Sequence, residues 1–257
     1  MLKIKLAIKK TEGYPSDYVS VSLVDVVVDK IRTQIYKGVL KPGQKLIIRE
    51  LSEMLEVSHT PIKDALNRLV AEGYVEALPR KSMVVRCYTN TEFVEDLYLR
   101  LIVELAAVPD IISAAQSSLS FLDDMKHSQA IMEDCLLPGG DIDYQTWISH
   151  ERKFHFCYMK TCDNLRMYNL YRSLDSSRQA YFTYLHNELS PFTLKRFETN
   201  VKAHRQIVEA IEQKDEYALS RAIVQHIVQV SAEYEVSDEA KSMLVKFKRY
   251  TLKYGLD

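Results

Sequence analysis

Glycine and proline are scarce, with 7 of each in 257 residues. So few turn formers exclude a turn-rich all-β fold, a collagen-like repeat and extended disorder. The 4 cysteines include no CxxC pair, so the chain is no disulfide scaffold, and they read as reduced, buried thiols of a cytosolic protein. No run approaches 18 uncharged apolar residues, so no helix is expected to span a membrane. The opening MLKIKLAIKK is broken by lysines before any secretory core can form, and it reads as a flexible basic tail or a short edge strand. Net charge is missing too, since 34 Lys and Arg against 35 Asp and Glu leave −1. At first sight that argues against a broad basic surface for nucleic acid.

What remains is 47% hydrophobic and 27% charged, an ordinary globular balance at a length that suits two domains. The near-zero charge is a sum of opposite parts. Residues 1–90 hold 15 basic and 10 acidic side chains, whereas residues 91–257 hold 19 and 25. Asymmetry of this kind points to an acidic partner for the first part.

Periodicity orders the first part. Val24, Val27, Val28, Ile31 and Ile35 define a helix over 23–36, with Ser22 as its N-cap and Gly38 as its end. A short second helix runs over 48–55, with Leu51, Met54 and Leu55 inward. Three residues later a third begins, capped by Ser58 or Thr60, with Pro61 in its first turn and Gly73 at its close. Two β-prone runs, 74–78 and 83–87, flank Pro79-Arg80-Lys81-Ser82 as a hairpin. Helix, helix–tight turn–helix and hairpin make a winged helix-turn-helix. From Thr91 onward only helical patterns appear, interrupted by Pro109, the Pro138-Gly139-Gly140 loop, Pro191 and Gly255. The expected fold is therefore mainly α: a winged helix-turn-helix followed by an all-helical antiparallel bundle of six to seven helices. The expected division is an N-terminal extension over 1–17, a DNA-binding domain over 18–88 with its helix-turn-helix about 48–72, and a helical effector-binding and dimerisation domain over 89–257.

A helix-turn-helix reads bases with the N-terminal residues of its second helix. Ser58, His59, Thr60 and Lys63 occupy those places, while Arg49 and the wing-tip Arg80 and Lys81 are placed to meet phosphates. A scaffold for protein–protein contact is the alternative for such a head. The stretch LSEMLEVSHTPIKDALNRLVAEGYVEALPRKSMVV resembles the GntR family of bacterial transcription regulators over about residues 20–88. That resemblance places the DNA contacts on Arg49, Ser58, His59, Thr60, Lys63, Arg80 and Lys81. Three positions depart from the family pattern: His59 and Lys63 stand where Arg is usual, and Ser82 where Gly is usual. Arginine reads guanine with a planar fork that neutral His and Lys cannot copy, so a different operator is expected.

In the second part, His204 and His226 stand 22 residues apart, with Asp215 midway. If Asp215 caps the second helix of a hairpin, both imidazoles lie about 16 Å from the corner and at one level. Glu151 and His155 share a helix face at i and i+4. One carboxylate and three imidazoles from three helices can form a metal site in a bundle; hydrogen-bonded core histidines are the plainer alternative. His127, His150 and His186 fall in that plainer class, with His150 a possible support for Glu151.

Residues 91–235 resemble the FadR-type C-terminal (FCD) ligand-binding domain. Its R-x-x-x-E-x-A-A pattern appears as Arg100 to Ala107, its D-x-x-F-H as Glu151 to His155, and its H-x-x-I…D…H run as His204, Ile207, Asp215 and His226. The resemblance implies a divalent metal (Zn, Ni, Mn or Fe) on Glu151, His155, His204 and His226, with open positions for a small carboxylate effector. Glu151 replaces the usual Asp and sets the carboxylate about one C–C bond further out. Arg100 is a candidate for that effector's carboxylate, or else for a salt bridge to Glu104. The implied function is a cytoplasmic, nucleoid-associated, metabolite-responsive regulator, repressor or activator, acting as a homodimer on palindromic double-stranded operator DNA and not an enzyme. The rival readings are a metalloenzyme built on the bundle and a GntR-type regulator with a metal-free pocket.

Overall fold

The computed structural model describes residues 22–79, 82–137, 140–174, 194–232 and 238–256. The N-terminal extension and the wing-tip Arg80 and Lys81 lie outside the described residues. Two separate apolar cores organise what is described.

The first core is built by three helices and a hairpin. Helix α1 (Leu23–Tyr36) starts at Ser22, whose hydroxyl accepts from the Asp25 N–H while the Asp25 carboxylate accepts from the Ser22 N–H. This reciprocal cap satisfies two otherwise orphaned donors. Helix α2 (Ile48–Leu55) stops at Glu56, whose φ of 55° is left-handed. Helix α3 (His59–Ala71) follows, with Ser58 at the N-cap position. Val27, Ile31, Ile62, Leu66 and Leu69 interlock at its centre. Met54 is a correction, being 45% exposed. Among the described elements α2 packs chiefly on α3, and Leu51 and Leu55, one turn apart, fill that contact.

Strands β1 (Val75–Leu78) and β2 (Ser82–Val85) pair antiparallel, with Val75 opposite Val85. Residues 43–46 add an edge that periodicity did not show. Gly43 N–H donates to Val85 O at 2.8 Å, and Leu46 N–H to Met83 O at 2.8 Å. Gly43 makes this approach at φ +76°, a conformation costly for other residues.

Among the described residues, the second core belongs to seven helices. They are α4 (Asn90–Ser117), α5 (Ser120–Glu133), α6 (Tyr144–Met159), α7 (residues 165–174), α8 (Leu194–Gln213), α9 (Glu216–Ala232) and α10 (Asp238–Tyr254). Thr89 and Glu92 form a second reciprocal cap at the start of α4, and Arg86, just past β2, donates to Glu92 Oε1 at 2.8 Å. Pro109 does not break α4, which runs 28 residues through it. The proline sits on the exposed side, where water can serve the carbonyl one turn back, while Val108, Ile111 and Ile112 stay buried. Helix α4 packs against α6, α8, α9 and α10. The lysine-rich C-terminal segment becomes α10, seated on α4 and α9, with Phe247 only 2% exposed and edge-on to Tyr98 at 5.5 Å.

Candidate metal centre and nucleic-acid interface

Helices α8 and α9 form the expected hairpin. Lys214 turns the chain at φ 57°, and Asp215 Oδ1 accepts from the Ala218 N–H at 2.9 Å. The equal spacing on either side of this corner brings His204 and His226 level, with ring centroids 4.8 Å apart. From α6, His155 stacks on His226 at 4.9 Å and lies 5.2 Å from His204. Glu151, one turn earlier, sets Oε1 3.3 Å from His155 Nε2. One ligand atom from each of Glu151, His155, His204 and His226 falls within 4.8 Å of all the others, and all four residues are buried.

The surroundings favour the neutral form of His155 and His226. Burial pushes the His226 pKa well below its usual value, and the neighbouring His204 and His155 push the same way. Burial also lowers His155, helped by the charge of Arg100. Neutral imidazole is the form that ligates a metal.

A buried chain of hydrogen bonds fixes the tautomer of His155. The Tyr158 hydroxyl donates its one proton to Glu104 Oε2 at 2.5 Å. Toward His155 Nδ1, 2.6 Å away, that oxygen can therefore only accept, so the imidazole proton sits on Nδ1. The lone pair is left on Nε2, which faces the cluster and makes no hydrogen bond despite the nearby carboxylate. Glu104 is anchored by Arg100 Nε and accepts from the Tyr171 hydroxyl at 3.2 Å. Burial opposes ionisation of Glu104 most strongly, but the charges of Arg100 and His155 and the hydrogen bonds from Tyr158 and Arg100 together outweigh it, and the carboxyl is lowered overall.

These donors fit a metal. Among the described residues both ring nitrogens of His226 and Nε2 of His155 lack a hydrogen-bond partner, and each such buried atom costs about 1–3 kcal/mol unless something satisfies it. Nitrogen and oxygen ligands about 2.1 Å from an ion stand roughly 3–4 Å apart, so the set needs only slight contraction. Arg100 forms the salt bridge to Glu104 that its spacing offered. It is 3% exposed, and its Nη2 has no partner among the described residues. The Tyr158–Glu104 support escaped the sequence reading. Tyr158 at i+3 from His155 was the available signal, but Glu104 lies 54 positions away on another helix. His150 lies outside this support; its ring is 6.4 Å from that of His127.

In the head, Ser58, His59, Thr60 and Lys63 are all exposed at the start of α3. Pro61 and Ile62 beside them are buried, so the helix is fixed while its polar end stays open. Arg49 on α2 is exposed and 3.6 Å from Glu53.

A winged helix-turn-helix joined to a helical bundle with a buried histidine–carboxylate cluster defines a class: regulators that couple a DNA-reading head to a second, helical domain. The comparisons agree. Residues 23–85 match the bacterial regulatory proteins of the gntR family, and residues 96–229, over half of the chain, match the FCD domain. The HTH-type transcriptional regulator McbR of Escherichia coli is 24% identical over 83% of this chain and 95% of its own. The Nta operon transcriptional regulator of Aminobacter aminovorans is 30% identical over 52% of this chain and 61% of its own. The solved structure of E. coli McbR/YncC superposes with a TM-score of 0.70 at 22% identity, over 82% of this chain and 96% of that one. The chain belongs to the GntR family of transcriptional regulators, in its FCD-domain branch.

Proposed function

We propose that this regulator binds a palindromic operator as a cytoplasmic homodimer and that a small carboxylate effector, held at a metal-containing pocket in the bundle, sets its DNA affinity. The division follows the head over 18–88 and the bundle over 89–257, with the basic extension over 1–17 supplementing phosphate contacts. The observation that carries the reading is the convergence of Glu151, His155, His204 and His226 in a buried cluster whose His226 nitrogens lack partners among the described residues. These four residues would hold a divalent ion (Zn, Ni, Mn or Fe), and an ion with open positions supplies a Lewis-acidic anchor for a carboxylate oxygen. Arg100 supports the same occupant, because its charge reaches His155 and His226 while Nη2 remains available. In the head, Ser58, His59, Thr60 and Lys63 read bases, and Arg49, Arg80 and Lys81 hold phosphates.

Control requires that the effector bind one arrangement of the two heads better than another; equal affinity for both would leave DNA binding untouched. Metal analysis of purified protein, followed by gel shifts with candidate carboxylates, tests this directly. Stoichiometric metal in the wild type, its loss in His204→Ala with His226→Ala, and effector-dependent DNA release only in the wild type are the expected results. No bound metal, together with an unchanged effector response in the double variant, would reject the metal site.

A further inference from the structure

On the far side of α6 from the histidine cluster, a cavity of about 510 Å³ opens between α5, α6 and α7. Four fixed cations line it, Arg152, Lys153 and Lys160 from α6 and Arg172 from α7, against Asp124 alone among the described acidic residues. Lys160 and Arg172 are exposed, and Lys153, also exposed, sets its Nζ 3.4 Å from His150 Nε2. The opposite character lies beside them. Phe156 and Tyr168 form an apolar wall, edge to face at 6.1 Å, and the Arg152 guanidinium sits 5.3 Å above the Phe156 ring. The volume is within the range of small-molecule sites, where an apolar wall with a few convergent charges is the usual lining.

We infer that this cavity is a second ligand site, separate from the metal cluster, that takes an organic phosphate. The positive excess among the described lining residues suits a phosphate monoester, with about −1.5 to −2 at neutral pH, better than a single carboxylate at −1. Arginine offers its planar fork to phosphate oxygens and lysine a point charge, while the organic part of the ligand rests on Phe156 and Tyr168.

Phenyl phosphate carries both features and serves as the probe, with inorganic phosphate and benzyl alcohol as partial probes, in calorimetric titrations of the full-length protein. Phenyl phosphate should bind saturably and more tightly than either partial probe, and less tightly as salt rises. The double variant Lys160→Gln with Arg172→Gln, altered only at exposed positions, should weaken it by about tenfold or more, whereas His226→Ala should leave it unchanged. Absence of saturable binding, equal binding of benzyl alcohol, or equal affinity in the double variant would overturn the inference. Loss of binding in His226→Ala would overturn it as well, by assigning the anion to the metal cluster. Since His226→Ala is half of the double variant that tests the metal site, failure of one reading leaves the other standing.

Discussion

At the scale of single residues, Tyr158 does two things with one hydroxyl. It gives its proton to Glu104 and takes one from His155, so Tyr158→Phe removes both the fixed tautomer and a donor to a buried carboxylate. Partners that orient a ligating histidine are worth about 10–100-fold in metal affinity, and a chelator competition assay should show a loss of that order without loss of helicity. Unchanged affinity would mean that packing alone positions His155. Asp96 on α4 offers a pH test. Burial pushes its carboxyl from 3.8 up to about 6, against the pull of Arg86. Between those values the folded state holds a proton that the unfolded chain has released, so stability falls as pH rises through the window. Asp96→Asn should therefore raise Tm by about 2 °C or more above pH 6 and have no effect near pH 4; a constant gain at all pH would assign the effect to shape. His59→Arg should shift operator preference toward guanine at one position, read by binding-site selection at fixed salt. The histidine cluster was legible in sequence because helical rise is constant and Asp215 marks the corner. The hydroxyl chain was not, since it depends on how α4, α6 and α7 face one another.

At the scale of elements, the helices of the head could be read closely because their ends are written in short-range chemistry: Ser22 with Asp25, Pro61 in a first turn, Gly73 at a close. Where packing decides, the reading failed. Pro109 lies inside α4 because buried neighbours hold the helix together and its own side faces solvent. The strip at 43–46 joins the hairpin through main-chain bonds that no side-chain pattern announces. Met54 faces out because, among the described elements, α2 packs chiefly on α3 and two leucines fill that contact. The cap at the start of α4 is where the two cores meet in sequence. Thr89→Ala removes the acceptor for the Glu92 N–H and should cost about 1 kcal/mol, visible as faster hydrogen exchange in the first turn of α4. Exchange unchanged there would show that Arg86 holding Glu92 suffices.

At the scale of the whole molecule, overall charge conceals a basic head on an acidic bundle. If Arg49, Arg80 and Lys81 each meet one phosphate, the logarithm of DNA affinity should fall against the logarithm of salt with a slope of about −3 per head, doubled for a pair of heads. Arg49→Gln should make the slope shallower by about one per head; an unchanged slope would remove Arg49 from the phosphate contacts. Helix α4 gives the molecule its mechanical reach. As an unbroken rod of 28 residues, it is about 42 Å long. Arg100 and Glu104, tied to the histidine cluster through Tyr158, grip it near the middle, and its first turn is clamped to the wing through Glu92 and Arg86. From Arg100 to Asn90 the arm is about 15 Å, so a tilt of a few degrees at the grip becomes a stroke on the order of 1 Å at the wing, comparable to the helix shifts that switch other proteins. A helix broken at Pro109 would still keep that arm and the seat of Tyr98 on Phe247 and Tyr250 of α10, but it would lose the rigid continuation through the buried Ile111 and Ile112.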